Sequence, residues 1–409
     1  MREQDARAFG ARGDGVTLDT EALQAAIDAL DAGDTLVLSG GVFVTGTLTL
    51  KSHMTLRIEA DAELCASRNL AHYRDCGFYH NEMKRTVSLL YALDAEEICI
   101  TGGGVIQLSG DAFMDFSKMG LPPEIDRTTL LPEHAVQTVV RVRRGGRPTQ
   151  PIFFNNCRDI HIDGVQIFNS PCWTLVFSNS EDITVENVYM DNHARIPNND
   201  GIHCSASRNI TVRNSTFLCG DDCFAATCIT NWDGVCENIE ISDCLMSSRS
   251  AAIRFGHLSS HVRHARVRNV KVIDSNRALI AFAKDGGRVE DITVENLVSE
   301  TRIFAGYWWG KGEGFVLCTA GSDGVIDGIT LKDCSFTEEN PSIIAGEDAR
   351  ISRVTLENCH FAYRAVDTHP YYYGKLDLQP NIPQLEPAPF HVGDMLYVKE
   401  GACRDFKIV

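Results

Sequence analysis

The sequence predicts an all-β solenoid, a fold in which the chain winds through one short coil after another along a single axis. Three observations predict it. A nine-residue phrase recurs along the chain, apolar and polar residues alternate inside each copy, and a turn-forming residue stands at one fixed place in the phrase.

The phrase recurs eight times between residues 159 and 361, and the copies align without a gap. DITVENVYM (182–190), NITVRNSTF (209–217) and DITVENLVS (291–299) show its pattern. Intervals of 23 to 37 residues between copies, mostly near 27, predict one coil of a solenoid per copy. The second residue of each copy, called the anchor, is in turn Ile160, Ile183, Ile210, Ile239, Ala265, Ile292, Ile329 and Val354.

Each copy encodes a strand, a bend and a second strand. The anchor and the residue two places later are apolar, which is the period-2 pattern of a strand with one buried face. Four places after the anchor stands Gly, Asn or Asp, residue types that tolerate left-handed backbone angles and predict a sharp bend. Apolar residues resume after the bend. Such a coil predicts a parallel β-helix, because the leucine-rich-repeat phrase is missing and a β-propeller needs periods of about 40–50 residues.

The two ends of the chain differ from this rhythm. Asp19 precedes a segment that places Leu23, Ala26, Ile27 and Leu30 on one helical face, which predicts a helix capping the N-terminal end. We predict one domain over residues 1–409, with a cap over about residues 1–35 and an extended excursion over about residues 366–409. Residues 107–150 are predicted to form loops over one face.

Composition excludes several classes of function. A net charge of −17 argues against a nucleic-acid partner, which needs clustered Lys and Arg.

The sequence has no apolar run long enough to cross a bilayer and no signal-peptide pattern at residues 1–15, so we expect a cytoplasmic protein unless a leader has been removed. The fifteen cysteines lack CxxC spacing and are interpreted as reduced thiols in the core.

Two acidic turns carry the candidate chemistry. Asn199-Asp200-Gly201 follows one copy of the phrase and Gly220-Asp221-Asp222 follows the next, so their carboxylates are expected to meet in one groove. Hydrolysis of a glycosidic bond commonly needs one carboxylic acid and one carboxylate base, and crowding raises the pKa of one member of such a group.

These turns, the opening AFGARGDGVTLDTEALQAAIDA and the run from Arg147 to Val188 resemble the polygalacturonase family, glycoside hydrolase family 28. The resemblance covers about residues 8–300 and implies a right-handed parallel β-helix. It implies hydrolysis with inversion, with Asp221 as general acid and Asp200 and Asp222 as bases that hold the water. The implied chemistry needs neither a cofactor nor a metal ion, and its partner is an oligo- or polysaccharide.

Two further motifs of that family are replaced. Ser248-Arg249-Ser250 stands where the family has Gly-His-Gly, and Ile280 and Phe282 stand where the charged pair of Arg-Ile-Lys should fall. In pectin-cleaving members those cations are thought to bind the galacturonate carboxylate. We therefore predict a pectin-related or other plant or microbial oligosaccharide in place of ordinary polygalacturonate.

Further substrate-binding candidates follow from position and residue type. His203 and Arg254 alternate with inward-facing apolar residues and should face outward beside the aspartates, and the aromatic segment from Tyr307 to Glu313 is suited to stack on sugar rings. The complete set is Asn199, His203, Arg249, Arg254, His257, Lys284, Arg302, Trp308, Trp309 and Glu313.

Two other functions remain open at this point. A polysaccharide lyase would use a Lys or Arg base and often Ca²⁺ on a similar β-helix. A non-catalytic carbohydrate-binding β-helix, such as an adhesin or tail-fibre domain, would need no acidic cluster. The three aspartates favour hydrolysis over both.

Overall fold

The computed structural model describes residues 2–117, 140–304, 310–321, 323–346, 348–364 and 394–409. Within these ranges the chain forms a parallel β-helix with three long sheets, and every strand pairs in parallel with its counterparts in the neighbouring coils. The all-β solenoid predicted from the sequence is confirmed. In the described part of the chain, no helix is long and apolar enough to span a lipid bilayer.

The first sheet contains Glu3–Asp5, Asp34–Leu38, Met54–Ile58, Glu96–Gly102, Arg158–Asp163, Glu181–Glu186, Arg208–Arg213, Val235–Ser242, His261–Arg268, Arg288–Glu295, Val325–Lys332, Ile351–Glu357 and Cys403–Ile408. The second contains Asp14–Leu18, Gly41–Thr45, Ala62–Ala66, Val105–Gln107, Gln166–Phe168, Tyr189–Asp191, Thr216–Cys219, Leu245–Ser248, Lys271–Ser275, Val298–Thr301, Ser335–Glu338 and His360–Tyr363.

The third sheet contains Leu48–Thr49, Leu90–Leu93, Ile152–Asn155, Leu175–Ser178, Ile202–Ser205, Phe224–Thr227, Ile253–Phe255, Arg277–Lys284, Glu313–Ala320, Ser342–Ala345 and Leu396–Val398. Met114–Asp115 and Arg141–Val142 form a small antiparallel pair. The helix is Thr20–Ala29, and short 3-10 turns cover Ala6–Phe9, Leu70–His72 and Gly110–Phe113.

The eight anchors stack in one column of the first sheet. Ile160 pairs with Ile183, Ile183 with Ile210, and the pairing continues in the predicted order to Val354. The residues two places later form a second buried column in the same sheet. One strand register is therefore kept over eight coils, because a slip by one residue would expose each apolar face.

The predicted bends are confirmed at all eight places. The residues from Gly164 to Asn358 that follow the anchors by four places have φ between 50° and 76°, in the left-handed region. A second left-handed corner stands directly before each anchor, from Asp159 to Arg353, with φ between 52° and 76°. The sequence analysis missed this corner, since His264 and Arg353 occupy it as well as Asn, Asp and Gly.

The third sheet was not predicted either. The phrase covers only the first two strands of each coil, and the chain between copies varies in length, so no fixed spacing marks the third strand. Four coils that precede residue 159 in the first sheet were also missed. The last of them has both corners, since Glu97 and Gly102 have φ of 53° and 125°, and Ile98 pairs with the anchor Ile160. The third sheet matters most for function, since its strands follow the acidic turns.

The N-terminal helix lies where it was predicted, and Leu23, Ala26, Ile27 and Leu30 are buried. Asp19 occupies the N-cap position, but its side chain does not cap the helix. Its carboxylate instead accepts hydrogen bonds from the backbone N–H groups of Arg12 and Gly13, at 2.8 and 2.9 Å. The aspartate therefore ties the preceding loop to the helix.

The prediction for the C-terminal end needs a correction. Residues 394–409 do not form an irregular excursion, because Leu396–Val398 joins the third sheet and Cys403–Ile408 joins the first. The chain returns to the solenoid and adds a last partial coil. The remainder of the predicted excursion, residues 366–393, lies outside the described residues.

Candidate active site

The three aspartates meet at the corner between the second and third sheets. Ile202 pairs with Phe224, so Asp200 and Asp222 stand at matching places in adjacent coils, each two residues before its strand. The Gly201 N–H donates to the Asp222 carbonyl at 2.8 Å and holds the two coils together there. All three aspartates are buried, with at most 3% of each residue exposed.

Glycine is required in both acidic turns for lack of space. A Cβ atom on Gly201 would lie 2.5 Å from the Cys223 carbonyl oxygen, and one on Gly220 would lie 2.4 Å from Oδ1 of Asn199. Real Cβ atoms do not approach so closely. The glycines therefore allow the two turns to pack against each other and bring their carboxylates together.

Asp222 is the most heavily bound of the three. Its Oδ1 atom accepts from the Ser250 hydroxyl at 2.8 Å and from the Ala251 N–H at 3.0 Å. Its Oδ2 atom accepts from Nε of Arg254. Three donors, one of them a guanidinium, stabilise the carboxylate form of Asp222.

Asp200 and Asp221 each keep one oxygen open. Oδ1 of Asp200 and Oδ2 of Asp221 are buried and have no hydrogen-bond partner within the described residues. Burial raises the pKa of both carboxyl groups well above the usual range, and the neighbouring carboxylates raise them further. Two carboxyl groups so close to each other resist ionising together, which favours a proton on one member of the pair.

His203 fixes the carboxylate of Asp200. The distance from its Nδ1 atom to Oδ2 of Asp200 is 2.9 Å, and its Nε2 atom lies 3.0 Å from the hydroxyl of Thr227. Burial lowers the pKa of His203 to about 4, so the ring is neutral near pH 7. Nδ1 then carries the proton and donates to Asp200, while Nε2 accepts from Thr227.

Trp173 completes this arrangement. Its ring stacks on the His203 ring with 4.0 Å between centroids and 23° between planes. Trp173 therefore packs against a site residue. His203 was predicted to face outward beside Asp200, and the geometry places it there with the role of holding the aspartate.

A loop supplies site residues that the sequence analysis missed. Residues 75–87 leave the coil as a hairpin closed by the bridge between Asp75 and Val87. The tip brings His80 against Trp173, with ring centroids 4.7 Å apart, and brings Oε1 of Glu82 within 3.4 Å of Nε2 of His257. No motif marks this loop, since its residues reach the site only because the chain folds back over three coils.

These residues enclose a small cavity of about 20 Å³, which is room for about one water molecule. The residues that line it are Glu82, Trp173, Asn198, Asp200, His203, Asp221, Asp222, Thr227, Ile229, Arg254 and His257. Asp200 and Asp221, which each have one buried oxygen without a hydrogen-bond partner among the described residues, belong to this lining.

A larger cleft of about 710 Å³ lies at the corner that joins the third sheet to the first. Its carboxylates are paired, as in the ion pairs of Glu96 with Arg158 and of Glu181 with Arg208. The buried carboxyl groups with raised pKa lie in the smaller cavity, and we therefore place the chemistry there.

Arg249 and Arg302 lie together, and neither lines the cavity that contains the three aspartates. Both pair with Asp274, at 3.3 and 2.9 Å, and both guanidinium groups lie over the ring of Phe304, at 3.9 and 4.9 Å from its centroid. Their contact with a sugar therefore stays a prediction. The Arg249 backbone stays next to the acidic turn, because its N–H donates to the Cys219 carbonyl at 3.2 Å and its neighbour Ser250 donates to Asp222.

Three other predicted ligands also lie outside the cavity. Glu313 is fully buried in an ion pair with Arg277, at 3.1 Å, and Lys284 pairs with Asp285 at the end of its strand, at 3.6 Å. Asn199 donates to the His193 carbonyl and shapes the turn, while Asn198 lines the cavity. Trp308 and Trp309 lie outside the described residues.

The comparisons with known proteins agree with this geometry. Residues 141–300, which contain all three aspartates and Arg254, match the sequence model of glycosyl hydrolases family 28. The chain is 30% identical over 241 residues to an exo-poly-alpha-D-galacturonosidase of Dickeya chrysanthemi, an alignment that covers 52% of this chain and 40% of that protein. Over residues 141–300 the chain is similar to glycosyl hydrolases family 28.

Solved structures of the family share the fold. An exopolygalacturonase from Thermotoga maritima superimposes with a TM-score of 0.65 at 23% identity, covering 88% of each chain. A polygalacturonase from Erwinia carotovora superimposes with a TM-score of 0.66 at 19% identity, covering 90% of this chain and 95% of that one. The chain spans only 40 to 61% of the length of the first curated relatives that it matches.

Proposed function

We propose that the protein is a glycoside hydrolase that cleaves an O-glycosidic bond with inversion, in a pectin-related or other plant or microbial oligosaccharide. One observation carries the proposal. Two buried carboxyl groups, Asp200 and Asp221, line the same cavity and each has one oxygen without a partner among the described residues, while a third carboxylate beside them is fixed by an arginine. This is the pairing of acid and base that glycosidic hydrolysis requires.

In the proposed reaction Asp221 is the general acid. Its raised pKa lets it keep a proton, which passes from Oδ2 to the glycosidic oxygen as the bond to the leaving sugar breaks. Asp200 is the base. Its Oδ1 atom takes a proton from a water molecule in the cavity, and the water oxygen attacks the anomeric carbon from the opposite face.

His203 favours this division of roles. Its Nδ1–H group donates to Asp200, and a donor of this kind stabilises the carboxylate form, so the shared proton is directed to Asp221. Asp222, which the family resemblance paired with Asp200 as a base, has donors on both oxygens. We assign Asp222 the role of a fixed negative charge that keeps Asp221 protonated.

The substrate is proposed to differ from ordinary polygalacturonate. Ile280 pairs in register with Arg254, and Ile280 and Phe282 are both fully buried in an apolar cluster with Val316. In the described structure these two positions therefore hold no cation to bind a sugar carboxylate. A lyase is disfavoured because the one guanidinium that lines the cavity, Arg254, is bound to Asp222 and is not free to act as a base.

The experiment is a screen of the purified protein against pectic, hemicellulosic and fructan oligosaccharides, with the anomers of the products followed by proton NMR. The expected result is hydrolysis of at least one class, with the product first appearing as the inverted anomer. Retention of configuration would contradict the water-attack scheme, and unsaturated products that absorb in the ultraviolet would establish a lyase.

A further inference from the structure

The tip of the loop 75–87 is held rigidly over the cavity. Nδ1 of His80 accepts from the backbone N–H groups of Glu82 and Met83, at 3.1 and 3.0 Å, and its ring packs edge-on against Trp173. The Asn81 side chain donates to the Ile229 carbonyl at the far side of the cavity. These contacts place Glu82 at one position along the cavity wall.

Glu82 differs from the three aspartates in exposure. Its side chain is 40% exposed, while the His257 side chain that it pairs with is 7% exposed. Burial acts to raise the pKa of Glu82, but the hydrogen bond from His257 opposes burial, and the pKa is lowered. Glu82 is thus an ionised carboxylate at the entrance, in reach of solvent and of a bound sugar.

The charges around the cavity are strongly unbalanced. Four carboxyl groups line it, and when Asp200 and Asp221 share one proton three of the four are negative, against the single positive charge of Arg254. His203 and His257 add no charge near pH 7, because burial lowers the pKa of both. Arg147, which approaches from behind, is occupied by the Pro171 and Pro197 carbonyls and by Asn198.

An ionised carboxylate accepts hydrogen bonds and donates none. It can therefore bind the hydroxyl groups of a neutral sugar, but it repels the carboxylate of a uronic acid, and the repulsion is strong where water is largely excluded. Asp200, Asp221 and Asp222 are needed by the proposed chemistry. Glu82 is not, and it is the carboxylate that a sugar meets first.

We propose that Glu82 is a specificity-determining residue of this site, which binds hydroxyls of a neutral sugar at the reacting position and rejects uronic acids there. The inference rests on the proposed function for the meaning of the site, but it makes a separate claim about binding. It assigns to a loop residue the choice of substrate class.

The test measures binding of matched monosaccharides to the full-length protein by calorimetry or saturation-transfer NMR. Each pair differs only at C6: galactose and galacturonate, glucose and glucuronate, mannose and mannuronate. We expect the wild-type protein to bind the neutral member at least about tenfold more tightly in one pair or more. Glu82→Gln, which keeps the shape and removes the charge, should lower that ratio at least about fivefold, mainly by improving uronate binding.

Glu240→Gln is the matched control, because Glu240 is exposed on the first sheet, far along the coil, and loses the same charge. The ratio of neutral-sugar affinity to uronate affinity in Glu240→Gln should equal that of the wild type. The proposal is overturned if the wild type prefers the uronate or binds neither member of any pair. It is also overturned if the ratio of neutral-sugar affinity to uronate affinity is the same in Glu82→Gln as in the wild type.

The result separates the two proposals. Selective binding that depends on Glu82 without hydrolysis of any oligosaccharide would refute the proposed function and leave the role of Glu82 standing. Hydrolysis with inversion together with an unchanged ratio in Glu82→Gln would support the function and refute the role of Glu82. A thermal melt of each variant verifies that it is folded.

Discussion

Arg254 donates a hydrogen bond from Nε to Oδ2 of Asp222, and the two side chains are only 2% and 3% exposed. Burial alone would lower the pKa of the guanidinium, yet the charge of Asp222 and its two acidic neighbours raises it. The pair joins two coils through side chains, because Asp222 precedes one strand of the third sheet and Arg254 lies in the next. The site and the stability of the solenoid therefore share this contact.

Replacing Arg254 should destabilise the protein. Arg254→Met leaves the Asp222 carboxylate buried without its counter-charge, and we expect a loss of about 3–5 kcal/mol in the free energy of unfolding. Urea denaturation monitored by circular dichroism measures it. Arg208→Met, which removes an exposed partner of Glu181, should change the same quantity by no more than about 1 kcal/mol. Equal losses in the two variants would show that burial does not govern the pair.

Replacing the proposed acid should abolish efficient hydrolysis. Asp221→Asn cannot donate a proton to the leaving oxygen, and we expect kcat on an unactivated oligosaccharide to fall by about 10³-fold or more. An aryl glycoside with a good leaving group needs less protonation and should lose less activity. Asp243→Asn is the control, because Asp243 is an exposed bend residue with φ of 56° that Asn also tolerates. Undiminished turnover by Asp221→Asn would remove Asp221 from the mechanism.

The same substitution should change how stability depends on pH. The pKa of Asp221 is raised on folding, so its contribution to stability is fully present at low pH and is lost as the pH rises through the folded value. Asn does not titrate and avoids that loss. We expect Asp221→Asn to be more stable than the wild type at alkaline pH, with the difference shrinking toward acid, as followed by melting temperature in matched buffers. A constant difference would indicate that Asp221 titrates normally.

The pH dependence of kcat/KM should change when His203 is replaced. Rates rise as Asp200 loses its proton and fall as Asp221 loses its proton, and both limbs lie above those of exposed carboxyl groups. His203→Phe keeps a ring beside Trp173 but removes the donor to Asp200. This should raise the pKa of Asp200 and move the acidic limb of kcat/KM upward by about one unit. The same change at the half-exposed His161 should leave the limb in place.

Thiol reactivity should follow burial. All fifteen cysteines are free, and eleven are buried, while Cys65, Cys99, Cys359 and Cys403 are partly exposed. Titration of the native protein with a thiol-specific chromogenic reagent should modify at most these four quickly, and denaturant should release the other eleven. Cys359, whose pKa is lowered to about 7 by its contact with Cys334, should react first. Rapid modification of more than four thiols would contradict the burial of the other eleven cysteines.

Much of the solenoid could be predicted because local sequence patterns specify it. Alternation of apolar residues determined which side chains of the first two sheets are buried, and Asn, Asp or Gly at the bends met the demand for a left-handed backbone at all eight places. The acidic turns were recognisable for the same reason. The glycines in them are fixed by close contact between neighbouring coils.

Other parts of the site depend on contacts between distant segments. Arg249 and Arg302 looked similar to Arg254 in the sequence, yet they bind Asp274 and Phe304. Glu313 was predicted to meet the sugar, but Arg277 from the preceding coil binds it inside the solenoid. The charge of a residue was visible in each case, while the identity of its partner was not.

By itself the sequence determined the solenoid and the register of two of its sheets, because both follow from spacing within one coil. The three aspartates were singled out by two acidic turns in successive coils together with a family resemblance. Only the tertiary structure decided which carboxylate is neutralised, which keep open oxygens, and that Glu82 stands at the entrance. Pairing and burial set these properties, and both arise when residues from different coils and from the loop 75–87 are brought into one water-poor cavity. The aspartates are close together in the sequence, whereas their pairing and burial depend on contacts between the assembled coils.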